Sequence, residues 1–423
     1  MTAAPVPVIL ALGSLPGEAD VVAAAAAGSA VTVVRRCRDT TDLLAAAADG
    51  TSRAALVSAS LPRLTLEAVT RLHRLGVVAV GAADPDRPGD ATRLRALGVG
   101  TVTAVDGTDP AAVGRAIGLL VSAAERHTAA APQEVGDSAR RDRPDGRGAA
   151  AGDGVVVAVW GPTGAPGRST VAVTVADELA RSGNSALLVD ADSYGGALPM
   201  MLGLVDDASG LAVAVRRADL GGLDLVAFSR CTRALGPRLR VLTGIRTPDR
   251  WSELRPAALQ AVWSRARDLA EVTVIDTGFC LERDDDPAME PFTLQRNAAT
   301  ITALAAADVV VAVGGAEPLG LARLAAGLPD LRAVIPETPI RVVVTRVRRG
   351  IAGRSTARQV SQTLHELSGL DDVVLVPDDR PALDRCQRDG TTLADAAPRS
   401  AARIALRDFA ATLPVAGRVV KPT

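Results

Sequence analysis

VVVAVWGPTGAPGRSTVAVTVADELA, residues 155–180, carries three successive patterns. The apolar and mostly β-branched run 155–159 predicts a buried strand, and Gly161, Gly164 and Gly167 then mark a loop. From Arg168, Ser169 and Thr170 onward the apolar spacing is that of a helix. A strand, a glycine-rich loop and a helix in that order can wrap backbone N–H groups around a phosphate. Glycines admit close approach, and the helix points its unpaired first-turn donors and positive dipole end at the anion. The general phosphate-loop pattern G-x-x-x-x-G-K-[ST] would place Gly at 162 and Lys at 168, where this chain has Pro162 and Arg168. Lys421 is the only lysine in the chain, so arginine is the cation this composition supplies, although its forked guanidinium is larger than an ammonium. Taken alone, the loop is also readable as a turn joining strand to helix in any parallel sheet.

Working outward, two later strands end in acid. Residues 186–189 form an apolar run closed by Asp190 and Asp192 in NSALLVDADSYGG, and residues 272–275 one closed by Asp276 in VTVIDTGFC. Carboxylates at the C-terminal ends of parallel strands face the crevice that receives the loop after the first strand. There Asp276 reads as a Walker B carboxylate, Asp190 as a second acid near Mg²⁺, and Ser169 as the hydroxyl offered to the same ion. Each aspartate alone is equally readable as a turn former or helix cap.

Residues 5–125 alternate short apolar runs with helical segments, giving five βα units and a flavodoxin-like parallel sheet covered on both faces. The rhythm is similar to that of a response-regulator receiver domain. A working receiver places acids after its first strand, a phosphoacceptor Asp at the end of the third and a Lys after the fifth. The corresponding places here hold Gly13 and Ser14, Ser58, and Val105 or Asp106. The domain therefore reads as a pseudo-receiver used for protein partners. Residues 126–154, rich in Ala, Gly, Pro, Asp and Arg, read as a flexible linker, and 416–423 as a tail.

The order of loop, DxD and strand-terminal Asp resembles the MinD/ParA group of deviant Walker A ATPases. More narrowly it resembles the CpaE-like members associated with pilus assembly and positioning, which also carry a receiver-like N-terminal domain. The resemblance spans residues 155–415 and implies an α/β P-loop NTPase domain with a mostly parallel central sheet. The family loop KGGxGK[ST][ST], aligned on GRST, sets Thr163 at the signature lysine, Gly164 and Ala165 at two glycines, and Pro166 and Gly167 along the loop backbone. Arg168 then stands at the phosphate lysine, Ser169 at the Mg²⁺ hydroxyl and Thr170 beside it. The resemblance implies ATP and Mg²⁺ as cofactors, metal contacts from Ser169, Asp190 and Asp276, and catalytic roles for Arg168, Asp276 and Asp192, the last orienting the attacking water. Thr345 stands where relatives have an adenine-reading Asn, with Arg346 beside it, and Pro377 and Asp378 match the loop near the base. Glu317 and Pro318 are expected in a loop at the sheet edge.

The family lysine crosses an ATP-sandwich dimer to the partner's phosphates, a role Thr163 cannot fill. The resemblance thus implies a nucleotide-dependent homodimer with weak or partner-dependent hydrolysis. Two other readings stand beside it. One is a scaffold with a vestigial phosphate loop. The other is nonspecific DNA binding by Arg341, Arg346, Arg348, Arg349, Arg354 and Arg358, a patch that is equally a solvated surface.

Composition narrows the class. The 423 residues are 48% hydrophobic and 22% charged with a net charge of −1, which suits globular domains and gives no global attraction to nucleic acid. Cys37, Cys231, Cys280 and Cys386 are widely spaced without a metal-ligand pattern and read as buried reduced thiols of a cytoplasmic protein. The acidic segment 282–291 reads as an exposed loop. No charge-free stretch reaches membrane-spanning length, and the ending LPVAGRVVKPT lacks a basic amphipathic helix, so no autonomous membrane anchor is expected.

Overall fold

The computed structural model describes residues 5–16, 18–27, 30–106, 109–129, 154–204, 208–283, 294–348, 356–368 and 372–415. It divides into two compact units, Met1–Ala149 with Arg217–Gly222, and Ala150–Arg216 with Leu223–Thr423.

The first unit holds β1 (Val6–Ala11), β2 (Val31–Arg36), β3 (Ala54–Ser58), β4 (Val78–Ala83) and β5 (Thr101–Ala104) in one sheet ordered β2-β1-β3-β4-β5. Every pairing is parallel, which is the flavodoxin-like arrangement. Parallel neighbours need crossovers, and the intervening helices bury both faces. Accordingly β3 is buried at all five positions, and two separate apolar clusters form, one containing Ile9, Val57 and Leu72, the other Val8, Leu56 and Leu120. At the carboxyl ends of the strands, Ser58 is fully buried and its hydroxyl pairs with that of Ser60 at 2.9 Å. Among the described residues no group of three His, Cys, Asp or Glu is placed to hold a metal. The last helix of the unit, Pro110–Ala129, runs into the segment expected to be linker. Positions 130–153 of that segment, most of the acidic segment 282–291, Arg349, Arg354 and the tail 416–423 lie outside the described residues.

The second unit is built on an eight-stranded sheet: β6 (Val155–Trp160), β7 (Ala186–Ala191), β8 (Arg233–Ala234), β9 (Leu239–Leu242), β10 (Val272–Thr277), β11 (Val309–Gly315), β12 (Ile340–Val347) and β13 (Val373–Pro377). Its order is β13-β12-β11-β6-β10-β7-β9-β8. Only the β8–β9 pairing is antiparallel, as the two-residue β8 turns back onto the edge. Strands β7, β10 and β11 are buried at every position, the expected state of a sheet covered on both faces.

The helix after the phosphate loop, Arg168–Arg181, is buried from Val171 to Ala180, including Asp177 and Glu178. These two acids are tolerable there because each is paired, Asp177 with Arg181 at 3.0 Å and Glu178 with Arg403. Trp263 and Trp160 are 1% exposed and satisfy their indole N–H groups, at Thr302 Oγ1 (3.0 Å) and the Phe279 carbonyl (3.1 Å). One expectation is corrected. Glu317 does lie in the short loop after β11, but Pro318 already opens the helix Pro318–Val334, and the loop is not at an outer edge of the sheet because β11 lies between β6 and β12. Proline suits the first helical position because its missing N–H would be unsatisfied there in any case.

Cys37 and Cys386 are buried, and Cys231 and Cys280 half-buried, all as free thiols. Burial pushes the Cys37 thiol up to about 12.

Candidate functional site

The bend between β6 and the helix Arg168–Arg181 is shaped by three glycines used in different ways. Gly161 has no room for a Cβ, which would collide with the Val313 carbonyl on β11. Gly164 and Gly167 hold φ of 70° and 88°, a backbone region open mainly to glycine. Inside the bend the Ala165 N–H donates to the Pro162 carbonyl at 2.9 Å. Gly167 is the helix N-cap and supplies no side-chain acceptor, so first-turn donors of a fourteen-residue helix open toward the loop. Thr163 and Gly164 form its exposed tip.

Arg168 folds back under the bend, its Nη1 donating to the Gly161 carbonyl at 3.0 Å and its Nη2 meeting Asp192 Oδ2 at 3.4 Å. Thr345, at the end of β12, donates its hydroxyl to the Pro166 carbonyl at 2.8 Å, also lies 3.2 Å from the Gly314 carbonyl, and packs against Gly167. Its single hydroxyl proton is thus turned to the loop backbone. Arg346, next in sequence, is exposed with φ of 56° where the β12–β13 register shifts between Val344 and Val347. Such backbone in a non-glycine residue is uncommon, and the bulge is its local cause. One strand further out, the Asp378 N–H donates to the Val347 carbonyl at 3.0 Å, Pro377 sits opposite Val347, and Asp378 lies 3.7 Å from Arg380.

The carboxylates converge as well. Asp276 on β10 is in register with Asp190 on β7, and laterally paired residues of a parallel sheet share a face. Asp276 is 1% exposed, and neither of its carboxylate oxygens makes a hydrogen bond of good geometry among the described residues, although the Ser169 hydroxyl is close enough to act on it. Burial pushes it up to about 7, against the opposing influence of Ser169 and Arg168 and with help from Asp192. A buried polar group is almost always satisfied, so an orphan pair of acceptors is a feature to be explained.

Asp190 is differently employed. It accepts from the Leu198 N–H at 3.2 Å and the Asp192 N–H at 3.3 Å, and burial, with Asp276 next, raises it well above the carboxylate range. Asp192 accepts from the Tyr194 and Gly195 N–H groups at 2.9 and 3.2 Å through Oδ1, leaving Oδ2 toward Arg168. The DxD pair therefore braces its own loop while lining the crevice. Tyr194 is fixed in turn by Asn297 at 2.7 Å and by the Arg296 guanidinium 3.8 Å above its ring.

The donor set fits a magnesium polyphosphate. Asp276 offers an uncommitted buried carboxylate, Ser169 a hydroxyl beside it, the helix end free amides and Arg168 a guanidinium. The basic surface read along β12 is smaller than expected, because Arg341 pairs with Asp372 at 3.1 Å and lies over the Phe409 ring, away from Arg346 and Arg348. One group had no sequence signal. Arg323, exposed on the helix Pro318–Val334, presses its guanidinium against Gly164, where a Cβ would collide with Nη1. Nothing in the pattern around Arg323 distinguishes it from any arginine on the outer face of a helix, since the contact joins segments distant in sequence.

No protein-family model matches the chain. Among solved structures, a ParA family ATPase from Chlorobium tepidum superposes with a TM-score of 0.52 at 18% identity, covering 62% of this chain and 99% of that one. An ATP complex of a McdA variant from Cyanothece gives 0.48 at 12% identity, covering 64% of this chain and 100% of that one. An iron–sulfur cluster carrier protein from Synechocystis is 46% identical over 66 residues, or 16% of this chain, and the match spans only 18% of that protein. The C-terminal part of the chain thus shares the fold of that ParA family ATPase.

Proposed function

We propose that this chain binds Mg-ATP in the crevice between the bend 161–167 and the ends of β7 and β10, and that it serves as an assembly or positioning ATPase of the MinD/CpaE type. The observation that carries the reading is Asp276: a fully buried carboxylate with no hydrogen bond of good geometry, set beside the Ser169 hydroxyl in the first turn of a helix that has no side-chain cap. A structural aspartate would be expected to use its oxygens as Asp190 does.

In this reading the amides of Thr163, Gly164, Gly167 and Thr170 line the phosphate chain, the Ala165 amide being held by the Pro162 carbonyl, and Arg168 neutralises the phosphates. Ser169 and Asp276 hold Mg²⁺, with Asp190 behind them. Asp192 is placed to orient water. The metal, when bound, supplies charge neutralisation at the phosphates. Thr345, Arg346, Pro377 and Asp378 border the base side, with Thr345 acting through the loop carbonyls it already holds. Hydrolysis is slow or partner-dependent, because Thr163 has no charge to carry across a dimer to the partner's phosphates as the family lysine does. A nucleotide-dependent homodimer, protein partners on the first unit and a cytoplasmic setting complete the proposal. Among the described residues no helix is long and apolar enough to cross a membrane.

A second reading, a nucleotide-free scaffold, has its own observation: Arg168 is turned back onto Gly161 and Asp192. Titration calorimetry of the full chain with Mg-ATP separates the two. Binding in the micromolar range, reduced at least tenfold by both Arg168→Ala and Asp276→Ala, is the expected result. Absence of heat at millimolar Mg-ATP would refute the ATPase reading.

A further inference from the structure

We infer that Arg323 is a second phosphate-binding cation of this site, delivered to the bend by the helix Pro318–Val334 and not by the loop's own sequence. The inference rests on the nucleotide reading above and extends it to a residue outside every phosphate-loop pattern. Its guanidinium lies against Gly164, with Nη1 in the space a Cβ at position 164 would take. It makes no hydrogen bond or ion pair among the described residues.

That last fact separates it from Arg168, whose two terminal nitrogens are engaged by the Gly161 carbonyl and Asp192. The charges around the bend are therefore uneven. Arg168 is balanced by Asp192, and the helix end carries partial positive charge with no side-chain acceptor. Arg323 adds a full positive charge at the exposed tip with no carboxylate paired to it. Free amides and an uncompensated guanidinium on one concave bend, with the orphan carboxylate of Asp276 for a divalent cation on the other side, suit a polyanion carrying its own metal. A monophosphate would leave the outer cation unused. Because Arg323 belongs to the same chain as the loop, this charge is available without a second copy of the protein.

The test is calorimetric titration of the full chain, and of Arg323→Gln and Arg323→Lys variants, with Mg-ATP, Mg-ADP, AMP and inorganic tripolyphosphate. Arg323→Gln is expected to weaken Mg-ATP and tripolyphosphate on the order of tenfold to a hundredfold, the loss for a charge-assisted hydrogen bond, and AMP least. Arg323→Lys is expected to recover part of the loss by charge alone. The ligand-free unfolding midpoint of Arg323→Gln should match that of the parent, since the side chain is exposed and unpaired. A Gln variant that binds Mg-ATP and tripolyphosphate as the parent does would overturn the assignment of Arg323 and leave the nucleotide site standing. A parent chain that binds neither would overturn both.

Discussion

Replacing Asp276 by Asn is expected to make the ligand-free protein more stable at pH 8 while abolishing Mg-ATP binding. The carboxyl is fully buried, makes no hydrogen bond of good geometry, and is lifted by burial from the usual 3.8 to about 7 against the Ser169 hydroxyl beside it. Because the folded value lies above the unfolded one, the native state holds more protons than the unfolded chain between about pH 4 and pH 7. Stability from this group accordingly falls as pH rises through that window and stays low above it. At about 1.4 kcal/mol for each pH unit, the difference approaches about 4 kcal/mol at pH 8. Asn matches the neutral acid in shape and shares its unsatisfied polarity, so the variant should recover most of that amount above pH 7 and almost none at pH 4. For a chain of this size that is a rise in Tm on the order of ten degrees at most. Removing the Asp276 charge also relieves Asp190, which that charge helps to raise, and this adds to the variant's gain at high pH in the same direction, so the informative quantity is the difference between parent and variant. The assay is thermal unfolding in metal- and nucleotide-free buffer from pH 4 to pH 9. A variant whose Tm difference from the parent is flat across that range, or negative at pH 8, would refute the claim that Asp276 sits as an uncompensated acid.

Two further substitutions probe the frame of the site. Thr345→Val keeps the shape but removes the hydroxyl that donates to the Pro166 carbonyl, and should cost about 1–2 kcal/mol in urea unfolding and weaken ATP and GTP by the same factor. A selective change for one base would return Thr345 to base reading. Trp263→Ala opens a cavity beneath the sheet and leaves the Thr302 hydroxyl without its indole donor. The expected cost is about 3–5 kcal/mol, seen as a lower urea midpoint, and a loss under about 1 kcal/mol would mean that the surrounding helices collapse onto the gap.

Residues 155–180 and the aspartates at the ends of two apolar runs are sufficient to read a parallel sheet with a phosphate-type loop, because strand, bend and helix are local events governed by periodicity and by glycine. The same holds for the first unit, whose alternation of short strands and helices yields a sheet with parallel pairings throughout. Reliance on local pattern also explains the misplaced element. Glu317 and Pro318 read as a sheet-edge loop because strand order is a property of the crossovers, and the short β8 and β9 carry too few residues to announce an edge pair.

What the chain by itself determined, then, is which residue types stand at strand ends and where the backbone must bend. How those groups are used was decided only in three dimensions. Asp190 and Asp276 are both aspartates closing apolar strands, yet the first finds the amides of Asp192 and Leu198 while the second finds none. Thr345 meets Pro166 and Arg323 meets Gly164 through packing of separate helices and strands onto one sheet. Hydrogen bonding and charge act over a few ångströms of space and take no account of distance along the chain, so partnership and its absence are tertiary facts.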